Sequence, residues 1–283
     1  EDEMGDLWVG TENGGLSIYN KERKEFFNYA HDPLNPTSLM HNSIWSIYRD
    51  NVGTMWLGLL NKGVNKWDKF QSKFKQYNIN SSGNGLSNSN VTSFAEDDAG
   101  NLWIGTDGGG LNYFNRSTNN FDHYFHDPVD KSSLGSNAVT ALLVDSEDDL
   151  WVGAWEGGLS FFDKSKGSFI NYKHNPLDPN SISSNNIFSI IQDRKGRLWI
   201  AAFEGGLDMF DKKTKSFTHY YHNPFDSSSL CHNKVFELFE DSKGNIWIGT
   251  EGGGLSVMHF DNNGKASFTH YKHDPEDPTS LGG

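Results

Sequence analysis

Short apolar runs alternate with polar turns from one end of the chain to the other. From Asn42 to Ile79 the segments "NSIWSIYRD", "TMWLG", "GVNKWDK" and "KFKQYNI" are rich in β-branched and aromatic residues, and turn residues separate each pair, which predicts four short strands. The Asp-x-x-Gly between the first two (Asp50 to Gly53) suits a hairpin with a residue at positive φ, so those strands are expected to be antiparallel neighbours. The pattern repeats: Trp8, Trp56, Trp103, Trp151, Trp199 and Trp247 follow at intervals of 48, 47, 48, 48 and 48, each inside a stretch like "GNLWIGT".

Such a period changes the meaning of every local motif. A four-stranded unit of about 48 residues, repeated six times, predicts an all-β fold, a β-propeller occupying residues 1–283 as one domain. Gly, Pro and strand-like alternation in every unit exclude helical repeats. Only Glu1 to Asp6 precede the first Leu-Trp pair, so the first unit lacks its inner strand and 6 × 4 − 1 gives 23 strands. At the other end "HDPEDPTSLGG" stops where a new first strand would begin. The reading is a ring of six that closes imperfectly or a portion of a seven-bladed ring, with an open inner edge that seeks a partner strand.

The loop "GTDGGGLNYF" invites a phosphate-binding reading, but a phosphate loop opens a helix and carries Lys followed by Ser or Thr. Here the Gly pair precedes a strand and recurs as Gly14-Gly15, Gly109-Gly110, Gly157-Gly158, Gly205-Gly206 and Gly253-Gly254, so it is architectural. Either positive φ or backbone lying close to a neighbouring Trp is expected to require it.

Charge removes one class of partner. Lys plus Arg is 24 against Asp plus Glu at 37, and a net charge of −13 repels nucleic acid and anionic membrane surfaces. The single Cys231 forms no internal disulfide. No apolar window reaches membrane-helix length and no leader precedes the first repeat, so the chain reads as a mature or excised portion of something longer, touching a membrane only through other parts of its parent.

The unit N-x-[VI]-x-x-[IL]-x-x-D-x-x-G-x-[LI]-W-[IV]-G-T-x-x-G-G-L … F-x-x-Y-x-H-[DN]-P … S-L, nearly intact from Asn137 to Pro176 and from Asn233 to Pro275, resembles the two component regulator propeller repeat. The resemblance covers the whole chain. It implies the periplasmic sensor region of a hybrid two-component system, typically two seven-bladed propellers followed by a β-sandwich, a membrane helix and a histidine kinase. It also implies a ligand-sensing role, commonly for oligosaccharides, with a neighbouring propeller or a second copy as macromolecular partner.

Repetition separates scaffold from site, because a residue that breaks the pattern is released from blade geometry. In the loop between strands 2 and 3 the second position is acidic in three units (Glu12, Asp107, Glu251) and becomes Leu60, Trp155 and Phe203 in the others. Three large apolar residues are thus expected on exposed loop tips. With Asn61, Lys62, Glu156 and Glu204 beside them they offer what a sugar needs, a ring for its C–H face and polar groups for its hydroxyls; packing against a neighbouring loop is the alternative. At the start of strand 1, Trp45, Phe188 and Phe236 occupy a position that is Thr in the third and fourth units and point toward the channel mouth or into an interblade core, the core being favoured by the apolar bias of interiors, while His41 and His232 precede the repeated Asn and join the candidate site.

No cofactor and no metal is expected. The "HDP" and "HNP" histidines (His31, His126, His174, His222, His273) come one per blade, which favours a role beside the Pro-bearing turn over a metal site. An enzyme is the rival class. The hairpin "DSKGNIW" (Asp241 to Trp247) is similar to a sialidase Asp-box, but the arginines are not grouped as a carboxylate clamp, and only His232 with Glu237 offers a lyase-like pair. A protein-binding scaffold is the third class. The sequence therefore reads as a non-catalytic sensor domain binding an oligosaccharide on its loop-rich face.

Overall fold

A strand flanked by sheets on both faces must be apolar throughout, and the Leu/Ile-Trp-Ile-Gly run of each repeat meets that demand. The structure, a computed structural model, describes residues 1–68, 73–79, 83–261, 264–277 and 279–281, with Asp68, Lys73, Phe74 and Lys75 described by backbone alone. Its described residues form 23 strands and no helix. The first sheet has three strands, β1 (Leu7–Gly10), β2 (Leu16–Asn20) and β3 (Glu25–Tyr29). Five four-stranded sheets follow. They are β4–β7 (Ile44–Arg49, Met55–Leu59, Gly63–Asp68, Lys73–Tyr77), β8–β11 (Val91–Glu96, Leu102–Thr106, Gly110–Asn115, Asn120–Tyr124) and β12–β15 (Val139–Val144, Leu150–Ala154, Gly158–Asp163, Ser168–Tyr172). The last two are β16–β19 (Ile187–Gln192, Leu198–Ala202, Gly206–Asp211, Ser216–Tyr220) and β20–β23 (Val235–Glu240, Ile246–Thr250, Gly254–Phe260, Ala266–Tyr271). Each sheet is an antiparallel meander in chain order, the blade of a β-propeller.

The blades sort into two compact units, Glu1–His126 with Asn137–Val139, and Asp127–Ser136 with Thr140–Gly283. In the first unit, blades one and two share a core that includes Leu16, Leu39, Ile44, Leu57 and Leu59, and blades two and three one that includes Trp56, Val91, Ile104 and Phe114. In the second, Trp151, Ile187, Ile200 and Phe210 join blades four and five, and Trp199, Val235, Ile248 and Phe268 join five and six. Strands β5, β9, β13 and β17 are buried at every position. β1, which has no preceding strand, leaves Leu7 48% and Val9 44% exposed, the physical cost of the missing inner strand that the sequence predicts.

In four blades the hairpin Asp fixes the blade's tryptophan. Asp50, Asp145, Asp193 and Asp241 accept the indole N–H of Trp56, Trp151, Trp199 and Trp247 at 2.8, 2.8, 2.9 and 3.0 Å, while their other oxygen accepts turn N–H groups. This carboxylate–indole bond gives the repeated hairpin Asp a structural role.

The second glycine of each pair sits at φ between +71° and +85° from Gly15 to Gly254. The close neighbour is not the expected tryptophan but the carbonyl oxygen that ends strand 4, 2.2 to 2.5 Å from where a Cβ would stand. Junctions between blades also repeat. The Nδ1 atoms of His31, His174 and His222 meet the carbonyls of Leu39, Ile182 and Leu230 at 2.6 to 2.8 Å, so these histidines clasp the Pro-bearing loop.

Candidate functional site

In four blades a bulge at the start of the innermost strand re-aims one side chain. The pairing of β16 with β17 shifts between Ile187 and Ser189, leaving Phe188 as the extra residue, and the same shift isolates Trp45, Thr92 and Phe236 in their blades. Where the residue at this position is Thr, its hydroxyl donates to the first strand of the next blade: Thr92 to the Val139 carbonyl at 2.7 Å and Thr140 to that of Ile187. Where it is Phe, a ring takes that path, and Phe188 lies 4.4 Å from Phe236, centroid to centroid. Of the two placements the sequence left open for Trp45, Phe188 and Phe236, the buried interblade core is not the one observed: Trp45 is 51% and Phe236 38% exposed, and Phe188 is half-buried.

The two aromatic sets of the second unit converge. Trp155, from the loop between β13 and β14, lies 5.7 Å from Phe188 and 5.9 Å from Phe203. Phe203, from the loop between β17 and β18, lies 5.5 Å from Phe188 and 5.4 Å from Phe236. Four rings in mutual edge and tilted contact form one aromatic surface, an arrangement that adds about 0.5–1.5 kcal/mol per pair beyond area burial. Trp155, Phe203 and Leu60 are less exposed than free loop tips: Trp155 keeps 37% exposure, and Phe203 and Leu60 are half-buried. A charged pair borders the rings. The Lys234 ammonium sits 5.3 Å above the Phe203 ring and 3.3 Å from a carboxylate oxygen of Glu251.

Beside the rings the backbone is strained. Glu156 and Glu204 adopt φ of 58° and 62°, a region L residues enter at about 1–2 kcal/mol, while Gly108 and Gly252 hold the same loop position in other blades. The Glu156 N–H is held by Asn186 Oδ1 at 2.9 Å. Strained exposed acids beside an aromatic surface are a candidate for ligand contact. Glu156→Gly is expected to raise stability by about 0.5–1 kcal/mol, read as a higher urea midpoint, since glycine relieves the strain and returns part of the gain as lost backbone entropy.

His232 and His41 have local duties. Each Nδ1 accepts the N–H two residues on, from Lys234 at 3.1 Å and Ser43 at 3.0 Å, as Asn88 does for Asn90 and Ser184 for Asn186. His232 therefore borders the rings through Lys234. Glu237, the other half of the lyase-like pair, accepts the Ser189 hydroxyl at 2.8 Å. Leu60, Asn61, Lys62 and His41 belong to the first unit, where Asn61 takes the left-handed loop position at φ 55° with its N–H on Asn90 Oδ1.

Sequence reasoning missed one cluster of acids. Asp145, Glu147 and Asp149 bring carboxylate oxygens within 4.8 Å of one another, a metal-like set. The Lys212 ammonium already stands among them, bound to Asp145 and 3.0 Å from Glu147. Burial raises the Asp145 carboxyl, but bonds from Lys212 and the Trp151 indole outweigh it and hold that carboxyl below the usual range. Lys212 thus acts as the counterion of this site.

The two component regulator propeller model matches five segments, residues 38–61, 85–108, 133–156, 181–204 and 229–252. No curated protein matches the chain. Among solved structures, the extracellular domain of a hybrid two component system from B. thetaiotaomicron is 27% identical with a TM-score of 0.74, over 90% of this chain and 32% of the other. This chain therefore spans about a third of that relative. A second extracellular domain from B. thetaiotaomicron, of a one component system, is 21% identical with a TM-score of 0.59, over 96% of this chain and 43% of that one. A virginiamycin B lyase of Staphylococcus aureus shares the fold at 12% identity and a TM-score of 0.66, over 94% of this chain and 80% of the lyase. Five matched segments at the blade period, on a propeller fold shared with those extracellular domains, show that the chain carries repeats of the two component regulator propeller type.

Proposed function

We propose that this chain is a non-catalytic ligand-sensing domain of a two-component regulatory system, acting outside the cytoplasm, and that it binds an oligosaccharide on the aromatic surface of Trp155, Phe188, Phe203 and Phe236. The observation that carries this reading is the convergence of those four rings from loops and bulges that break the repeat. A pyranose stacks its C–H face on such rings, and Glu156, Glu204 and the Lys234–Glu251 pair supply hydrogen-bonding groups around them. The engagement of His232 and Glu237 in local bonds supports a binding role over catalysis. The likeness to extracellular domains of regulatory systems supports both the sensing role and the extracytoplasmic location.

Thermal unfolding against an oligosaccharide panel tests this reading. A sugar at 100 times its dissociation constant adds about 2.7 kcal/mol to the folded state. The expected result is a raised Tm with one sugar class that disappears in Trp155→Ala. No shift with any sugar, in a protein that melts cooperatively, counts against it.

A further inference from the structure

An ammonium already rests on the aromatic surface. Lys234 Nζ stands 5.3 Å from the centre of the Phe203 ring and 3.3 Å from a carboxylate oxygen of Glu251, so one of the four rings meets a cation held by an acid. The face of an aromatic ring carries negative potential and attracts a cation within about 6 Å of its centroid. Among the described residues no cation stands over the other three rings, Trp155, Phe188 and Phe236.

Acids accompany these rings. In the loop between strands 2 and 3, other blades carry an acid at the position of the ring (Glu12, Asp107, Glu251); where Trp155 and Phe203 take that place, the acid reappears one residue on as Glu156 and Glu204. Glu237 follows Phe236 on β20, and one of its carboxylate oxygens accepts the Ser189 hydroxyl at 2.8 Å and the Leu238 N–H at 3.2 Å. Those bonds fix the carboxylate without neutralising it, and they join the residues that follow Phe188 and Phe236, the two rings 4.4 Å apart. Glu156, Glu204 and Glu237 are all exposed, and among the described residues none is ion-paired. Four carboxylates thus accompany the rings against one ammonium, which Glu251 already engages. Such a surface disfavours a uronate or a sulfated sugar and complements a cation.

Given the oligosaccharide reading, on which this inference rests, we propose that the surface selects oligosaccharides bearing free, protonated amino groups. The sugar's ammonium takes the Glu237 carboxylate and the adjoining rings of Phe188 and Phe236, as Lys234 takes Glu251 and Phe203. Its C–H faces stack on the remaining rings, and Glu156 and Glu204 supply further negative charge for amino groups along the oligomer.

Calorimetric titration of the whole chain with three oligosaccharides of equal length tests it: oligoglucosamine, its N-acetylated counterpart and oligogalacturonate, in a buffer that keeps amines and glutamates charged. Oligoglucosamine is expected to bind about tenfold tighter than the N-acetylated form, with an affinity that falls as salt is added, and oligogalacturonate most weakly. Glu237→Gln keeps an oxygen to accept from Ser189 and removes the charge, and it is expected to reduce the preference for the amino sugar several-fold. Glu204→Gln, at an exposed side chain, should reduce it as well. Equal binding of the first two sugars, a preference for the uronate, or a preference that survives both substitutions overturns this inference and leaves the oligosaccharide reading in place. Failure of oligoglucosamine to bind overturns it too; binding by none of the three, with an unmoved Tm across the wider panel, removes the oligosaccharide reading as well. Trilysine binding as tightly as oligoglucosamine assigns the surface to cationic peptides and overturns the inference.

Discussion

Asp193→Ala is expected to lower stability by about 3–5 kcal/mol, read as a fall in the urea midpoint, because it strips one buried carboxylate of several simultaneous tasks. Asp193 is 4% exposed and accepts the Trp199 indole at 2.9 Å, the Arg197 side chain at 2.6 Å and the N–H groups of Lys195 and Arg197 at 2.9 Å. Alanine leaves the indole of a fully buried tryptophan without an acceptor and Arg197, 5.0 Å above that ring, without its counterion. Acid should reproduce part of this loss. Burial pushes the Asp193 carboxyl up, but the bonds from Trp199 and Arg197 prevail and hold it below the usual carboxylate range. A carboxyl lowered on folding stabilises the protein above its unfolded value of about 3.9, and that contribution disappears as pH falls through the folded value. The wild-type urea midpoint should therefore drop as pH falls below about 4, and the drop should be shallower in Asp193→Ala.

The scaffold was legible because each of its parts is written once per blade. The tryptophan spacing, the Asp-x-x-Gly hairpins and the Gly pairs correctly give the strand count, the antiparallel pairing and the missing strand of the first blade. What the glycine faces was not legible: its Cβ collides with a carbonyl at the end of strand 4, and such a backbone approach leaves no side-chain signature. The candidate site was half legible. Trp155 and Phe203 stood out as breaks in the repeat, and so did Phe188 and Phe236, but the sequence left the second pair between the channel mouth and an interblade core and did not join it to the loop pair. Both pairs are separated by 48 residues, one repeat, which places equivalent positions on adjacent blades and could have suggested their union. The obstacle is the bulge. A strictly alternating strand sends the residue after Ile187 in the direction its parity dictates, and one inserted residue re-aims it. The Lys212 counterion was hidden for a related reason, since its partners Asp145, Glu147 and Asp149 lie in the preceding blade.

Gly158→Ala is expected to cost about 2–5 kcal/mol, a loss comparable to that of the aspartate, although it adds a single methyl group. Gly158 has φ +71°, which alone disfavours an L residue by about 1–2 kcal/mol. The new Cβ would also stand 2.3 Å from the Tyr172 carbonyl, at the point where β14 and β15 begin their pairing of Leu159 with Tyr172. Turning the peptide away from that carbonyl sacrifices the 2.9 Å bond from the Gly158 N–H to Asn185, and with it the position of the side chain that accepts from His174. Gly252→Ala separates the two causes, because Gly252 has φ +73° but nothing within 4 Å of its Cβ position, so it should cost only about 1–2 kcal/mol. Urea midpoints of the two variants, measured side by side, decide which cause governs. A clear excess for Gly158→Ala makes the carbonyl contact at the blade junction the reason glycine recurs there, whereas equal losses reduce the repeated glycine to a backbone-angle requirement.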